Sequence, residues 1–366
     1  MAGDLARQHP LLNIATQTNA TLGDKRRALS APEIRRAIEL VRIGMGKNIE
    51  PPQRILDETT LFPEFPVFRA LGQLLSVHIY VSLAEGQITP AIDDLNAILR
   101  LGYHVQSDAF ISGEIGSGIA AMGMNSLAKH MPQFAVRDCD RLIFVLREWL
   151  KFPPPEIKII VSERDSAVNI LRKNKDNENF NELFGIINSE NKGVILPSKL
   201  QTALKNSDTH THIIVEGAVA KMFKHSNDVI ENLKLPFWKR TQPRLVDDGT
   251  LAYQVADAMS SSGISHIYTQ LLAQMQLLAV HAAIRKFRWE NDRLPKALEE
   301  FRREREDGLL TDPFTGELLM YKLDGERYEL YSTGIPHRDM DGKIVPGSGK
   351  PIFMPALKRP VVPAAP

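Results

Sequence analysis

Apolar residues recur every three or four positions through most of this chain, a rhythm that predicts helices rather than strands. The longest run covers residues 262–291, where Ile264, Ile267, Leu271, Leu272, Met275, Leu278, Ala279 and Ala282 fall on one helical face. Ser261 and Ser262 can cap its start. Arg285, Lys286 and Arg288 lie in its last turns, where cations suit the carbonyl end of the helix dipole. From Ile264 to Asn291, about 28 residues at about 1.5 Å each make a rod of roughly 42 Å, long enough to be the spine of a domain.

Shorter runs predict a series of helices upstream. Ser30-Ala31-Pro32-Glu33 opens one at residues 34–43, and residues 68–83 and 90–101 form a helical hairpin around Ala84-Glu85-Gly86-Gln87. That turn resembles the tetratricopeptide repeat, but the pattern does not recur at a 34-residue period. A stretch rich in Gly, Ala and Met at 107–131 predicts a tightly packed central helix. Further helices are expected at 137–150, from Pro153-Pro154-Pro155 to about 172, and at 181–188, 198–204 and 213–233. Residues 1–29 are polar and weakly periodic, so they read as a flexible arm. Residues 173–179 read as a solvated linker and 236–244 as a loop.

After residue 291 the period changes. Leu294-Pro295 opens a helix over 296–305 with Leu298 and Phe301 turned inward. Asp312-Pro313-Phe314-Thr315-Gly316 carries turn chemistry. Leu319, Tyr321 and Leu323 then alternate on one strand and Tyr328 and Leu330 on a second, with Asp324-Gly325 as the hairpin signal between them. The order of these pieces, from the long helix through Arg293-Leu294-Pro295 and the Asp-Pro turn to Tyr328-Glu329-Leu330-Tyr331-Ser332-Thr333-Gly334, resembles the C-terminal half of a type II secretion pseudopilin. That resemblance implies a small α+β module, a calcium-binding loop after the last strand, and an envelope or secretion-related, extracytoplasmic setting. The hydrophobic assembly helix that begins a pseudopilin has no counterpart here, so only the module shape carries over. The overall layout resembles helical protein families of planctomycete- and acidobacteria-like bacteria, and no activity comes with that resemblance.

The expected fold class is mainly α: a flexible arm at 1–29, a multi-helix domain at 30–245, an α+β module at 246–345 and a proline-rich tail at 346–366. With 366 residues, 43 % hydrophobic and 24 % charged, the chain can bury a sizeable core. A net charge of +1 gives no reason to expect nucleic acid as a partner. No window reads as a signal peptide or a membrane span. Leu235-Pro236-Phe237-Trp238-Lys239-Arg240 mixes aromatics with cations, which suits packing on a neighbouring helix or peripheral contact with a partner or membrane surface.

Two stretches carry candidate metal chemistry. Asp339 and Asp341 in His337-Arg338-Asp339-Met340-Asp341-Gly342 offer hard oxygen ligands for calcium. His210 and His212, with Glu216 four residues further along a helix, offer nitrogen and oxygen ligands for zinc. Cys139, the single cysteine, stands between Asp138 and Asp140, whose charges raise a thiol pKa, and no nucleophile elbow or phosphate loop is present. The chain therefore reads as a non-enzymatic interaction or scaffolding protein with a protein partner. The alternatives are a metal-dependent hydrolase using His210, His212 and Glu216, and a helical-repeat-like peptide binder with a groove on residues 65–150.

Overall fold

The apolar spacing between residues 34 and 150 produces the helices it predicts. In the computed structural model, which describes residues 2–7, 9–47, 62–106, 109–153, 155–174, 208–241, 243, 245–248, 250, 252–253, 256–257, 266–301, 307–335 and 349–362, these are α4 (Pro32–Met45), α5 (Phe65–Ala84), α6 (Ile88–Val105), α7 (Phe110–Ala128) and α8 (Val136–Leu150). Before them lie α1 (Ala2–Arg7), α2 (Pro10–Ala15) and α3 (Leu22–Ser30); after them come α9 (Glu156–Asn174), α10 (Asp208–Leu233) and α11 (Ile267–Asn291). One two-stranded antiparallel sheet, β1 (Met320–Asp324) with β2 (Arg327–Tyr331), follows near the C-terminal end. The fold is mainly α with a small α+β module. The helices expected at 181–188 and 198–204, the linker beyond residue 174 and the capping serines 261 and 262 lie outside the described residues.

Within the stretch expected as a flexible arm, 1–29, residues 2–7, 10–15 and 22–29 are helical. Thr21 and Asp24 form a reciprocal capping box at the start of α3, and Ala6, Leu12, Ala15 and Ala28 pack with Ile34, Ile38 and Leu74 in an apolar cluster. Short segments hide their periodicity, so a few small apolar residues suffice where a neighbouring helix completes the burial. Ser30 does not cap α4: its hydroxyl donates back to the Arg26 carbonyl, and Pro32 opens the helix instead. Gly86, at φ +74°, turns the chain between α5 and α6. The glycine-rich α7 lies close against α6, for a Cβ on Gly102 would stand 2.6 Å from the Gly116 carbonyl oxygen.

α11 departs from the expected single apolar face. Residues 277 through 285 are buried without interruption, which covers every side of a helix. It packs against α7 and α8 on one flank and β2 on another. Alanines at 273, 279, 282 and 283 keep it slim enough for such close neighbours. α5 and α11 are also long and apolar enough, by length and composition, to cross a membrane, which corrects the expectation that no window would be. Inside this fold 56 % and 72 % of those windows are buried, as core helices require.

Beyond α11, the described part of the helix expected over 296–305 is a 3-10 turn at Leu298–Glu300, and residues 302–306 lie outside the described residues. Ala297 is extended (φ −155°, ψ 160°), and Glu300 reaches back to accept from Arg293 Nη2 at 2.6 Å and from the Lys296 amide. Leu298 and Phe301 nonetheless point inward. The hairpin pairs Met320 with Tyr331 and Asp324 with Arg327, so Gly325 (φ +57°) and Glu326 make the turn. Tyr328 and Leu330 are buried as their alternation implies, whereas Leu323 is 39 % exposed because it lies at the solvent-facing tip. Residues 349–362 run beside β2 through bridges Ser332↔Ile352 and Arg327↔Val361, burying Met354, Leu357 and Val362. One apolar cluster thus extends from α5–α8 through α11 to the hairpin, while α9 and α10 share a cluster of their own.

Candidate functional site

The Asp-Pro turn is organised by one carboxylate. Asp312 is fully buried; its Oδ1 accepts from the Phe314 amide and the Ser332 hydroxyl (both 2.9 Å), and its Oδ2 from the Thr333 amide (2.7 Å) and hydroxyl (3.0 Å). Those contacts pin the turn to the end of β2. Phe314, also fully buried, meets the edge of Phe237 at 5.0 Å between centroids. Gly316 (φ +79°) lies under the Trp238 indole, where a Cβ would approach to 2.7 Å. The aromatics of residues 235–240 therefore pack on this turn rather than on a helix.

A second polar group runs along α11. His281 Nδ1 lies 2.7 Å from the Tyr328 hydroxyl, and both residues are buried. Burial lowers the His281 pKa to about 3 and raises that of Tyr328. Arg285 Nε (3.3 Å) and Trp289 Nε1 (3.0 Å) donate to the Phe134 carbonyl. Burial, reinforced by Asp138 and Asp140 and opposed by Arg285 and Lys286, pushes the Cys139 thiol up to about 12. At neutral pH the imidazole is uncharged and the sulfur is a thiol, so this group braces the core and supplies neither a charged acid nor a thiolate nucleophile.

Among the described residues, a cleft of about 870 Å³ lies between α8, α11 and residues 307–313. Three acids (Asp140, Glu148, Asp307) and three bases (Arg147, Lys151, Lys286) border it, together with Ile143, Leu272 and Leu309. Two charge pairs cross it, Lys286 with Asp140 at 2.7 Å and Arg147 with Asp307 at 3.0 Å, while Lys151 pairs with Glu148 at 2.5 Å along the α8 wall. Phe144 stands on the rim, 64 % exposed, and the Gln276 amide at the base donates to the Gly308 carbonyl at 3.4 Å.

Of the sequence-predicted ligands, Glu216 is the one whose side chain lies among the described residues. His210 and His212 occupy the first turns of α10, and their side chains lie outside the described residues. The Glu216 carboxylate accepts two hydrogen bonds from Arg172, at 3.1 and 2.9 Å. Asp339 and Asp341 lie outside the described residues. Among the described residues no group of three or more His, Cys, Asp or Glu side chains is placed to hold a metal ion.

The sequence also gave no hint of Glu156. This first residue of α9 is 1 % exposed and neither carboxyl oxygen has a hydrogen-bond partner. Burial pushes its pKa up to about 8, against the pull of its own backbone, Arg240 and the Tyr268 backbone. An acid in the first turn of a helix is ordinary in sequence; only the tertiary packing sets it apart. No protein-family model matches this chain, and no curated protein or solved structure does so either.

Proposed function

We propose that this chain is a non-enzymatic interaction protein that docks a protein partner in the cleft between α8 and α11, as part of an envelope or secretion-related assembly. The cleft carries the docking half of that proposal: a cavity of about 870 Å³ bordered by both signs of charge, with an exposed phenylalanine on its rim. Mixed polar rims around apolar anchors suit protein surfaces, and aromatic side chains are frequent anchors. The repeat-like alternative placed its groove on residues 65–150; α8 supplies one wall of the cleft from that stretch, and α11 with 307–313 supplies the rest. The assembly half rests on the pseudopilin resemblance of residues 262–345.

A photo-crosslinking residue at Phe144, with a control at the exposed Arg36 on α4, tests the docking site. A discrete adduct at 144 alone, whose purified protein then binds the wild-type chain and loses affinity to Phe144→Asp, supports it. Equal labelling at both positions, or none, counts against it. A thermal melt after chelation, with calcium or zinc restored, tests the module. Saturation at 100 times the dissociation constant stabilises by about 2.7 kcal/mol. A calcium shift lost on replacing Asp339 and Asp341 supports the pseudopilin-like loop, while a zinc shift lost with His210 and His212 would favour the hydrolase.

A further inference from the structure

α9 and α10 meet the helical body at a narrow joint. Ile159, Ile160 and Leu233 form a small apolar cluster there with Phe110 and Ile230, and the Phe110 amide donates to Glu163 at 2.8 Å. Further out, Ala167, Val168 and Leu171 of α9 pack on Val215, Ala218, Val219 and Met222 of α10 in a separate cluster. The two helices can therefore keep their mutual packing while the joint changes.

Glu156 lies in this joint, and the neighbouring tyrosine hydroxyls and two of the Arg240 nitrogens donate to other acceptors. The Tyr103 hydroxyl of α6 donates to the Pro153 carbonyl at 3.1 Å, and the Tyr268 hydroxyl of α11 to the Phe152 carbonyl at 3.2 Å. Arg240, following α10, donates from Nε to the Leu235 carbonyl (2.9 Å) and from Nη2 to the Leu233 carbonyl (3.1 Å). A carboxylate enclosed here without hydrogen bonds is costly, whereas the protonated acid is far less so.

We propose that Glu156 is a proton-operated latch: protonated, it lets α9 and α10 seat against α7 at Phe110, and ionised it loosens that joint. An acid whose pKa is raised in the closed form takes up a proton on closing. The closed form is thus favoured below the ordinary carboxyl range, loses ground as pH rises toward about 8, and levels off above it. Among the groups facing Glu156, burial moves Tyr103 and Tyr268 further up, and Arg240 feels burial against the attraction of Glu156 itself. His104, beside Tyr103, is moved below its usual value by burial and by Arg100 and Lys158. Opening the joint also reaches the adjoining 235–240 loop and its contacts with Phe314 and Gly316.

Hydrogen exchange of the full chain at pH 6 and pH 9, corrected for intrinsic exchange rates, tests the latch. In the wild type, protection in residues 156–172 and 226–240 should fall by roughly ten- to a hundredfold, since the closing equilibrium changes about tenfold per pH unit below 8. Protection in α5 and α6 should hold, and Glu156→Gln should keep the joint protected at both pH values. A flat wild-type response, or the same loss in Glu156→Gln, would overturn the proposal. If the variant does not fold, infrared titration of the wild type decides: a protonated-carboxyl stretch that vanishes near pH 8 supports the latch, and its absence at pH 6.5 refutes it.

Discussion

Two buried carboxyl groups in this protein meet opposite surroundings. Asp312 is fully buried and accepts four hydrogen bonds; Glu156 is 1 % exposed and accepts none of good geometry. The first is a permanent fastening between a turn and a strand. The second is conditional, because its cost depends on whether it holds a proton. Burial alone therefore does not say whether an acid fixes a structure or makes it responsive; the supply of donors decides.

The largest effect should come from removing the fastening. Asp312→Ala leaves the Phe314 and Thr333 amides and two hydroxyls without their acceptor, and should destabilise the fold by about 3–5 kcal/mol in urea denaturation. A loss below about 1 kcal/mol would place Asp312 and Glu156 on an equal footing and break the contrast.

Next, the two ends of the pH range should be separable. His281, held near 3 in the fold against an ordinary 6.5, makes stability fall as pH drops from 6.5 toward 3. Glu156, raised from 4.5 to about 8, makes it fall as pH rises between those values. Each slope is about 1.4 kcal/mol per pH unit at most, and they oppose one another where the windows overlap. Glu156→Gln should flatten the alkaline limb alone and His281→Leu the acid limb alone, read from denaturation midpoints across pH.

A smaller change is expected from Gly316→Ala. Its Cβ meets the Trp238 ring at 2.7 Å on a left-handed backbone, which costs about 1–3 kcal/mol and should alter tryptophan fluorescence as the ring moves. The smallest should come from Arg172→Ala, because the Arg172–Glu216 pair is solvent-exposed; its denaturation midpoint should match the wild type within error.

Most helices were legible in the sequence because α4 to α8 bury a face whose spacing is local. The Thr21–Asp24 capping box was equally visible in principle, but α1 to α3 contain too few apolar residues to set a period. What stayed hidden depends on distant partners. The Asp-Pro turn announced itself, whereas its ties to Ser332 and Thr333, and the seating of Phe237 on Phe314, join segments the chain order keeps apart. α11 looked one-sided because its large apolar residues fall on one face; internal partners also bring Gln276, His281 and Arg285 inside. Pro155-Glu156 reads like any surface helix start, so the latch had no local signature.

The position of α11 also bears on synthesis. Its flank covers α8, and its Arg285 and Trp289 satisfy the carbonyl of Phe134, yet it follows the end of α8 by about 120 residues. At roughly 5–20 residues per second, a ribosome exposes the apolar side of α8 for about 6–24 seconds before its cover emerges. Hsp70-type or trigger-type chaperones should therefore hold nascent chains that end before residue 267 and release those that extend past 291.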